Sequence, residues 1–174
     1  NPAVGAIIVK NGKVIARGRT RRVGGNHAER DALSCLNLGE AKGATVYVTL
    51  EPCSTQGRSG ACTEALIQSG VSRVVYGIVD PNPAHEGNAD AILNSAGIEV
   101  ERGICVEECE FQIRGFTSVQ TKRRPWVIAK TAMSLDGKIT RPVGEGQWLS
   151  NSGSREYVQH LRGEVDAIIT SGET

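Results

Sequence analysis

His27, Cys53 and Cys62, with Glu29 two places after the histidine, are the residues of this chain whose types and spacing could do chemistry. They stand in two short stretches, Asn26-His27-Ala28-Glu29 and Glu51-Pro52-Cys53, the second running on to Cys62. An imidazole and two thiolates form a donor set of the softness that zinc prefers. Three protein ligands leave one tetrahedral position open, and an open position is where a catalytic water sits. Glu29 is not needed to complete the set. A carboxylate held beside such a water can take its proton and pass it to a leaving amine. The pattern points to hydrolytic removal of an amine.

Elements of alternating type must bring these residues together. Residues 3–10 read as a strand with the apolar run Ala6-Ile7-Ile8-Val9. Asn11-Gly12 makes a two-residue hairpin turn, since both types tolerate positive φ, and residues 13–18 return as a second strand. A polar loop over 19–26 leads into a helix over 27–38 that stops at Gly39. Residues 44–50 are apolar and β-branched, the pattern of a strand covered on both faces. A helix over 60–69 ends at Gly70, and residues 73–79 form another covered strand. Residues 86–96 are helical, 98–102 extended and 106–119 a last helix. Strands alternating with helices predict a layered α/β domain, with a mostly parallel sheet after the opening hairpin. On this reading His27 and Cys62 lie at the starts of two helices, where the helix ends favour anionic thiolates. Cys53 follows a strand.

The basic run Thr121-Lys122-Arg123-Arg124-Pro125 marks a break between domains. After it, residues 126–132 read as a strand, 154–162 as a helix and 166–170 as a second strand. The chain begins Asn1-Pro2 and ends directly after that strand. Both ends are read as cuts in a longer protein.

Two blander readings stand beside the hydrolytic one. A lone histidine, a solvated glutamate and two core cysteines would explain each residue singly. A closed structural zinc site needs a fourth ligand. Cys35 lies eight residues past His27, about two helical turns along the same helix and too far away. Cys105 and Cys109, at i and i+4, are expected to pack on the core.

Composition narrows the class. Hydrophobic content of 39% with 22% charge suits a globular chain with a real core. Twenty basic residues against 19 acidic give no general field for nucleic acid or membrane. Two Trp, three Tyr and two Phe are too few for a base-stacking platform. No apolar run approaches the roughly 20 residues that span a bilayer. The cysteines left over, Cys35, Cys105 and Cys109, read as reduced thiols, so a cytoplasmic location is expected.

The motifs resemble those of the bifunctional riboflavin-biosynthesis deaminase–reductases, within the cytidine-deaminase-like superfamily. The resemblance runs through Asn1-Pro2-Ala3-Val4-Gly5, His27-Ala28-Glu29 and Thr49-Leu50-Glu51-Pro52-Cys53 to Cys62. It continues in Asp80-Pro81-Asn82-Pro83 and in Lys130-Thr131-Ala132-Met133-Ser134-Leu135-Asp136-Gly137-Lys138-Ile139. The nine-residue step from Cys53 to Cys62 separates the chain from cytidine and tRNA-adenosine deaminases. The second cysteine of those enzymes usually comes three residues after the first.

The resemblance implies a three-layer cytidine-deaminase-like α/β domain with a mixed sheet over residues 1–120 and a linker over 121–125. Residues 126–174 would then be the N-terminal portion of a dihydrofolate-reductase-like α/β domain. It implies Zn2+ on His27, Cys53 and Cys62, with Glu29 as the catalytic acid–base. Asn1, Arg58, Asp80 and Asn82 would hold a phosphorylated diaminopyrimidine. In the reductase part Ala132, Trp148 and Thr174 would touch NADPH and Arg162 its substrate, with NADPH use expected only of a complete domain. Three positions depart from the pattern. Thr20 and Thr55 stand where histidines are common, which bears on phosphate binding, and Gly146 stands where a serine is usual. The expected partners are that small molecule and, optionally, further copies of the chain in a homo-oligomer. Nucleic acid and membrane are not among them. Deamination of another nucleoside or of a tRNA base, or a non-catalytic zinc-binding module, remain the alternatives.

Overall fold

The computed structural model describes residues 2–55, 60–83 and 87–170, which fall into two compact units, one up to Trp126 and one from Val127 onward. Strands β1 (Gly5–Lys10) and β2 (Lys13–Arg19) form the opening hairpin. Asn11 and Gly12 both take positive φ, 50° and 73°, as a tight hairpin turn demands. Then follow α1 (Ala28–Leu33), β3 (Thr45–Leu50), α2 (Cys62–Ser69), β4 (Arg73–Ile78), α3 (Asn88–Ser95) and β5 (Glu99–Arg102). Helices α4 (Val106–Gln112) and α5 (Arg114–Lys122) complete the unit. The sheet runs β2-β1-β3-β4-β5. β1 is antiparallel to both β2 and β3, while β3, β4 and β5 run parallel.

Side-chain alternation explains the layers. Ala6, Ile8, Val46, Val48, Val74 and Tyr76 project to one face and form a single buried core with Ala28 and Ala32 of α1, Leu66 of α2 and Leu93 of α3. Val75 and Gly77 of β4 face the other way, where Cys109 of α4 lies against Gly77. β4 is therefore covered on both faces, as expected. β3 is not: its burial alternates, and Tyr47 is 38% exposed. Its apolar composition reflects β propensity and one buried face rather than double cover.

Three helices differ from expectation in length. α1 ends at Leu33, because the Ser34 hydroxyl donates to the Asp31 carbonyl at 2.7 Å and Asn37 to Glu40 close a separate turn. The helix expected over 106–119 is divided at buried Ile113, whose φ of −108° and ψ of 16° leave the helical region. α2 begins at Cys62, after Gly60 at φ 74°. Cys109 packs on the core as expected; Cys105 instead is exposed and takes φ 53°.

Among the described residues, the second unit has one regular element, α6 (Ser152–Gly163), whose first turn is capped by Asn151 accepting from the Ser154 amide at 2.8 Å. The strands expected over 126–132 and 166–170 do not form. A strand exists only through its ladder, and none of their described residues is paired with a neighbouring strand. No described residue of this unit is buried. Among the described residues, no helix is long and apolar enough to cross a membrane.

The contact that seats α1 is unusually close. A Cβ on Gly18 would collide with the Ala28 carbonyl oxygen and the Ala32 amide nitrogen, and would come within 2.9 Å of the Ala32 Cα. These are backbone atoms of the helix that carries Glu29, so no side-chain rotation can relieve the overlap. Gly18→Ala is expected to cost about 3 kcal/mol, at the upper end for overpacking. The urea midpoint checks it; an unchanged midpoint would mean that α1 can slide away freely.

Candidate active site

The candidate metal ligands occupy the ends of three elements. His27 is the residue preceding α1, with φ −70° and ψ 165°, and its carbonyl accepts the first helical bond from the Asp31 amide at 2.8 Å. Cys53 follows β3 by three residues. Cys62 is the first residue of α2 and is fully buried. The Cys53 carbonyl accepts from the Thr63 amide at 3.2 Å, tying the post-strand segment to the first turn of α2. Arg30 adds a second tie, its Nη2 donating to the Ala61 carbonyl at 3.0 Å. Asp31, buried on the same helix, accepts from the Arg21 Nε at 2.6 Å and from the Arg19 amide at 3.0 Å, fixing the loop that leads into His27.

The Nδ1 of His27 lies 3.5 Å from the sulfur of Cys53 and 3.5 Å from that of Cys62. All three donor atoms fall within 4.8 Å of one another. A tetrahedral zinc with ordinary Zn–N and Zn–S bonds places a nitrogen and a sulfur about 3.5 Å apart. The residues present thus fit the ion in type, number and spacing. Cys35 stays out of the set: it is exposed, and its sulfur points to the Asp31 carbonyl at 3.4 Å.

The electrostatics suit a thiolate site. The Cys62 amide donates to the Cys53 sulfur at 3.3 Å. The neighbouring Cys62 thiol, and then His27, hold the Cys53 thiol down to about 4. Cys62 moves the opposite way, pushed up by its hydrogen bond to Cys53 and by burial. His27 is raised, chiefly through its bond to Cys53. Glu29 is buried beside them, and burial pushes its carboxyl up to about 7.

These groups open into a cavity of about 180 Å³. His27, Glu29 and Cys53 form its floor, with Asp80, Asn82 and Thr20 among the polar groups of its wall. Pro2, Val4, Leu50 and Phe116 supply apolar wall. A larger groove of about 810 Å³ between β4, α4 and α5 holds none of the four chemistry-bearing residues. Size does not decide here; the chemistry lies in the smaller cavity.

Of the residues expected on the substrate side, Asp80 and Asn82 border the cavity, linked by the Asn82 amide donating to the Asp80 carboxylate at 2.8 Å. Thr20 borders it too, its hydroxyl accepting from the Val4 amide at 3.1 Å and so holding the N-terminal segment there. Thr55 is exposed. Asn1, Arg58 and Thr174 lie outside the described residues. Ala132, Trp148 and Arg162 lie in three separate segments of the second unit, all exposed, and Arg155 stacks over the Trp148 ring at 4.9 Å. Gly146 is exposed, with φ 93°. Pro2, Val4, Leu50, Glu51 and Phe116 also line the cavity but carried no role in the sequence reading. Phe116 arrives from α5, and no local motif marks it. Glu51 stood in plain view beside Pro52-Cys53.

Comparison with known proteins agrees with this geometry. The cytidine and deoxycytidylate deaminase zinc-binding region matches residues 1–78, and the RibD C-terminal domain matches residues 125–174. The riboflavin biosynthesis protein RibD of Aquifex aeolicus is 43% identical over 175 residues, covering all of this chain and 49% of that protein. RibD of Escherichia coli is 43% identical over 174 residues, covering all of this chain and 47% of that protein. The solved structure of a diaminohydroxyphosphoribosylaminopyrimidine deaminase/5-amino-6-(5-phosphoribosylamino)uracil reductase from Thermotoga maritima superposes with a TM-score of 0.84 at 43% identity, covering 93% of this chain and 46% of that one. The chain thus spans about half the length of the relatives it matches. With a deaminase zinc-binding region and a RibD C-terminal domain matched in that order, the chain belongs to the RibD family.

Proposed function

We propose that this chain carries a zinc-dependent deaminase acting on the diaminohydroxyphosphoribosylaminopyrimidine intermediate of riboflavin biosynthesis. The observation that carries the reading is the Nδ1 of His27 at 3.5 Å from both cysteine sulfurs, with buried Glu29 beside them at the base of a cavity. Zinc, when bound by His27, Cys53 and Cys62, supplies Lewis acidity toward the attacking water. Glu29 takes a proton from that water as a C–O bond forms at the ring carbon. It returns a proton to the exocyclic nitrogen as the C–N bond breaks, so that ammonia leaves. Leu50, Val4 and Phe116 keep bulk water from the reacting carbon. Asp80 and Asn82 are the side chains available to ribose hydroxyls, since one accepts and the other both donates and accepts.

The appended unit is the start of a reductase domain of dihydrofolate-reductase type, in which NADPH would meet Ala132, Trp148 and Thr174, and substrate would meet Arg162. That activity belongs to the complete domain. The testing experiment is ammonia release, with product mass, from the phosphorylated diaminopyrimidine against its free nucleoside and cytidine. Release from the phosphorylated compound alone supports the reading; a preference for cytidine overturns it.

Arg58 is assigned to the substrate phosphate, because its guanidinium stands five residues past Cys53 in a glycine-flanked stretch. A charge-assisted hydrogen bond contributes roughly 1.5–3 kcal/mol. Arg58→Ala should therefore raise KM for the phosphorylated substrate by about 10–150-fold. The slow reaction of the dephosphorylated analogue should hardly change. Equal losses on both would make Arg58 a structural residue.

A further inference from the structure

We propose that Glu51 is a positioning residue for this reaction: it anchors the Asp80–Asn82 turn to the strand end that presents Cys53. The inference rests on the functional reading above and adds to it the element that fixes the substrate side of the cavity relative to the metal side.

Glu51 is buried, and its carboxylate accepts three backbone amides. The Asp80 amide reaches Oε2 at 3.1 Å, the Gly87 amide reaches Oε2 at 3.0 Å, and the Ala89 amide reaches Oε1 at 3.0 Å. Its own amide donates to the Ile78 carbonyl at 2.9 Å. These partners belong to the end of β4 and the start of α3. Gly87, the residue preceding α3, has no side chain with which to cap the helix. The orphan amides of that first turn are instead satisfied from the end of β3, by a negative charge at the positive end of the helix dipole.

The consequence for the cavity is geometric. Only Pro52, fully buried and with a fixed φ, separates Glu51 from Cys53. On the other side, Asp80 accepts from the Asn82 amide. Cys53, Glu51, Asp80 and Asn82 thus form one connected chain of short links around the cavity. With three amides on its two oxygens, the Glu51 carboxylate is committed to holding backbone, which leaves proton transfer to Glu29.

Glu51→Gln is the decisive variant. It keeps the shape but turns one oxygen into an NH2, which faces an amide donor and repels it. In the zinc-loaded 174-residue protein, hydrogen–deuterium exchange should accelerate about tenfold on the side that faces the new NH2, at Ala89 or at Asp80 and Gly87 together, the loss of one such bond per amide. Zinc should stay at one per chain. With the phosphorylated diaminopyrimidine, KM should rise about tenfold while kcat stays within about threefold. A merely structural residue would lower the active fraction, and so kcat, at constant KM; that result overturns the proposal. Unchanged exchange at the three amides overturns it as well. Should Glu51→Gln fail to fold, Glu51→Asp, which keeps the charge and retracts it by one methylene, must give the same pattern. A wild-type protein that releases no ammonia from this substrate sinks the functional reading. The exchange data then decide the anchor alone, and three unprotected amides in the wild type would refute it.

Discussion

Glu29→Gln should hold its zinc and lose ammonia release by about 10²–10⁴-fold, the usual worth of a positioned acid–base group. The amide fills the same buried space beside Cys53 and Cys62, so packing and metal content are preserved. What disappears is a group that can both take and return a proton. If Glu29 serves both proton transfers, the loss belongs at the upper end of the range. KM should move little, since Glu29 faces the reacting atoms and the Asp80–Asn82 wall is untouched. Metal analysis with single-turnover ammonia release checks both halves. Near-normal turnover in this variant would remove Glu29 from the mechanism.

The second large effect is expected at Cys62. Cys62→Ala removes one of three ligands and empties a fully buried position at the start of α2. Zinc content should drop toward zero. Stability should fall with it, because an ion bound only by the native state contributes about 4 kcal/mol at a thousandfold excess over Kd. An ion held by His27, Cys53 and Cys62 would join the start of α1, the segment after β3 and the start of α2, so its loss should loosen their relative placement together. A chelator should therefore lower the thermal midpoint of the wild type and leave that of Cys62→Ala unchanged. A wild-type protein with no zinc and an intact fold would refute the site.

What could be read in the sequence followed from how local each signal is. His27, Glu29, Cys53 and Cys62 sit at the ends of elements marked by short-range pattern, and the chemistry of their donors is independent of the rest of the fold. The Asn11-Gly12 turn and the apolar run of β4 are equally local. Phe116 escaped because it reaches the cavity only through tertiary packing of α5, far along the chain from Glu29 and Asp80. Glu51 escaped for a different reason: its neighbours in sequence drew the eye, while its three partners lie 29, 36 and 38 residues on. The division between α4 and α5 falls at Ile113, two residues before the nearest glycine, Gly115, so the sequence does not fix its place. The second unit failed in the opposite sense. Residues 126–132 have a strand's composition, but composition alone supplies no hydrogen-bonding neighbour.

The order of the sheet leaves β2 and β5 as its two edges, and both are written in charge. β5 reads Glu99-Val100-Glu101-Arg102, and β2 carries Lys13, Arg17 and Arg19. A second copy extending the sheet by a further strand, at either edge, would lay its backbone along ionised side chains and strip water from them. Two β2 edges meeting would bring basic residues together. Charge at its edges therefore disfavours extension of the sheet. This protects a fold whose parallel strands pair across long connections and so stay exposed for longer while folding.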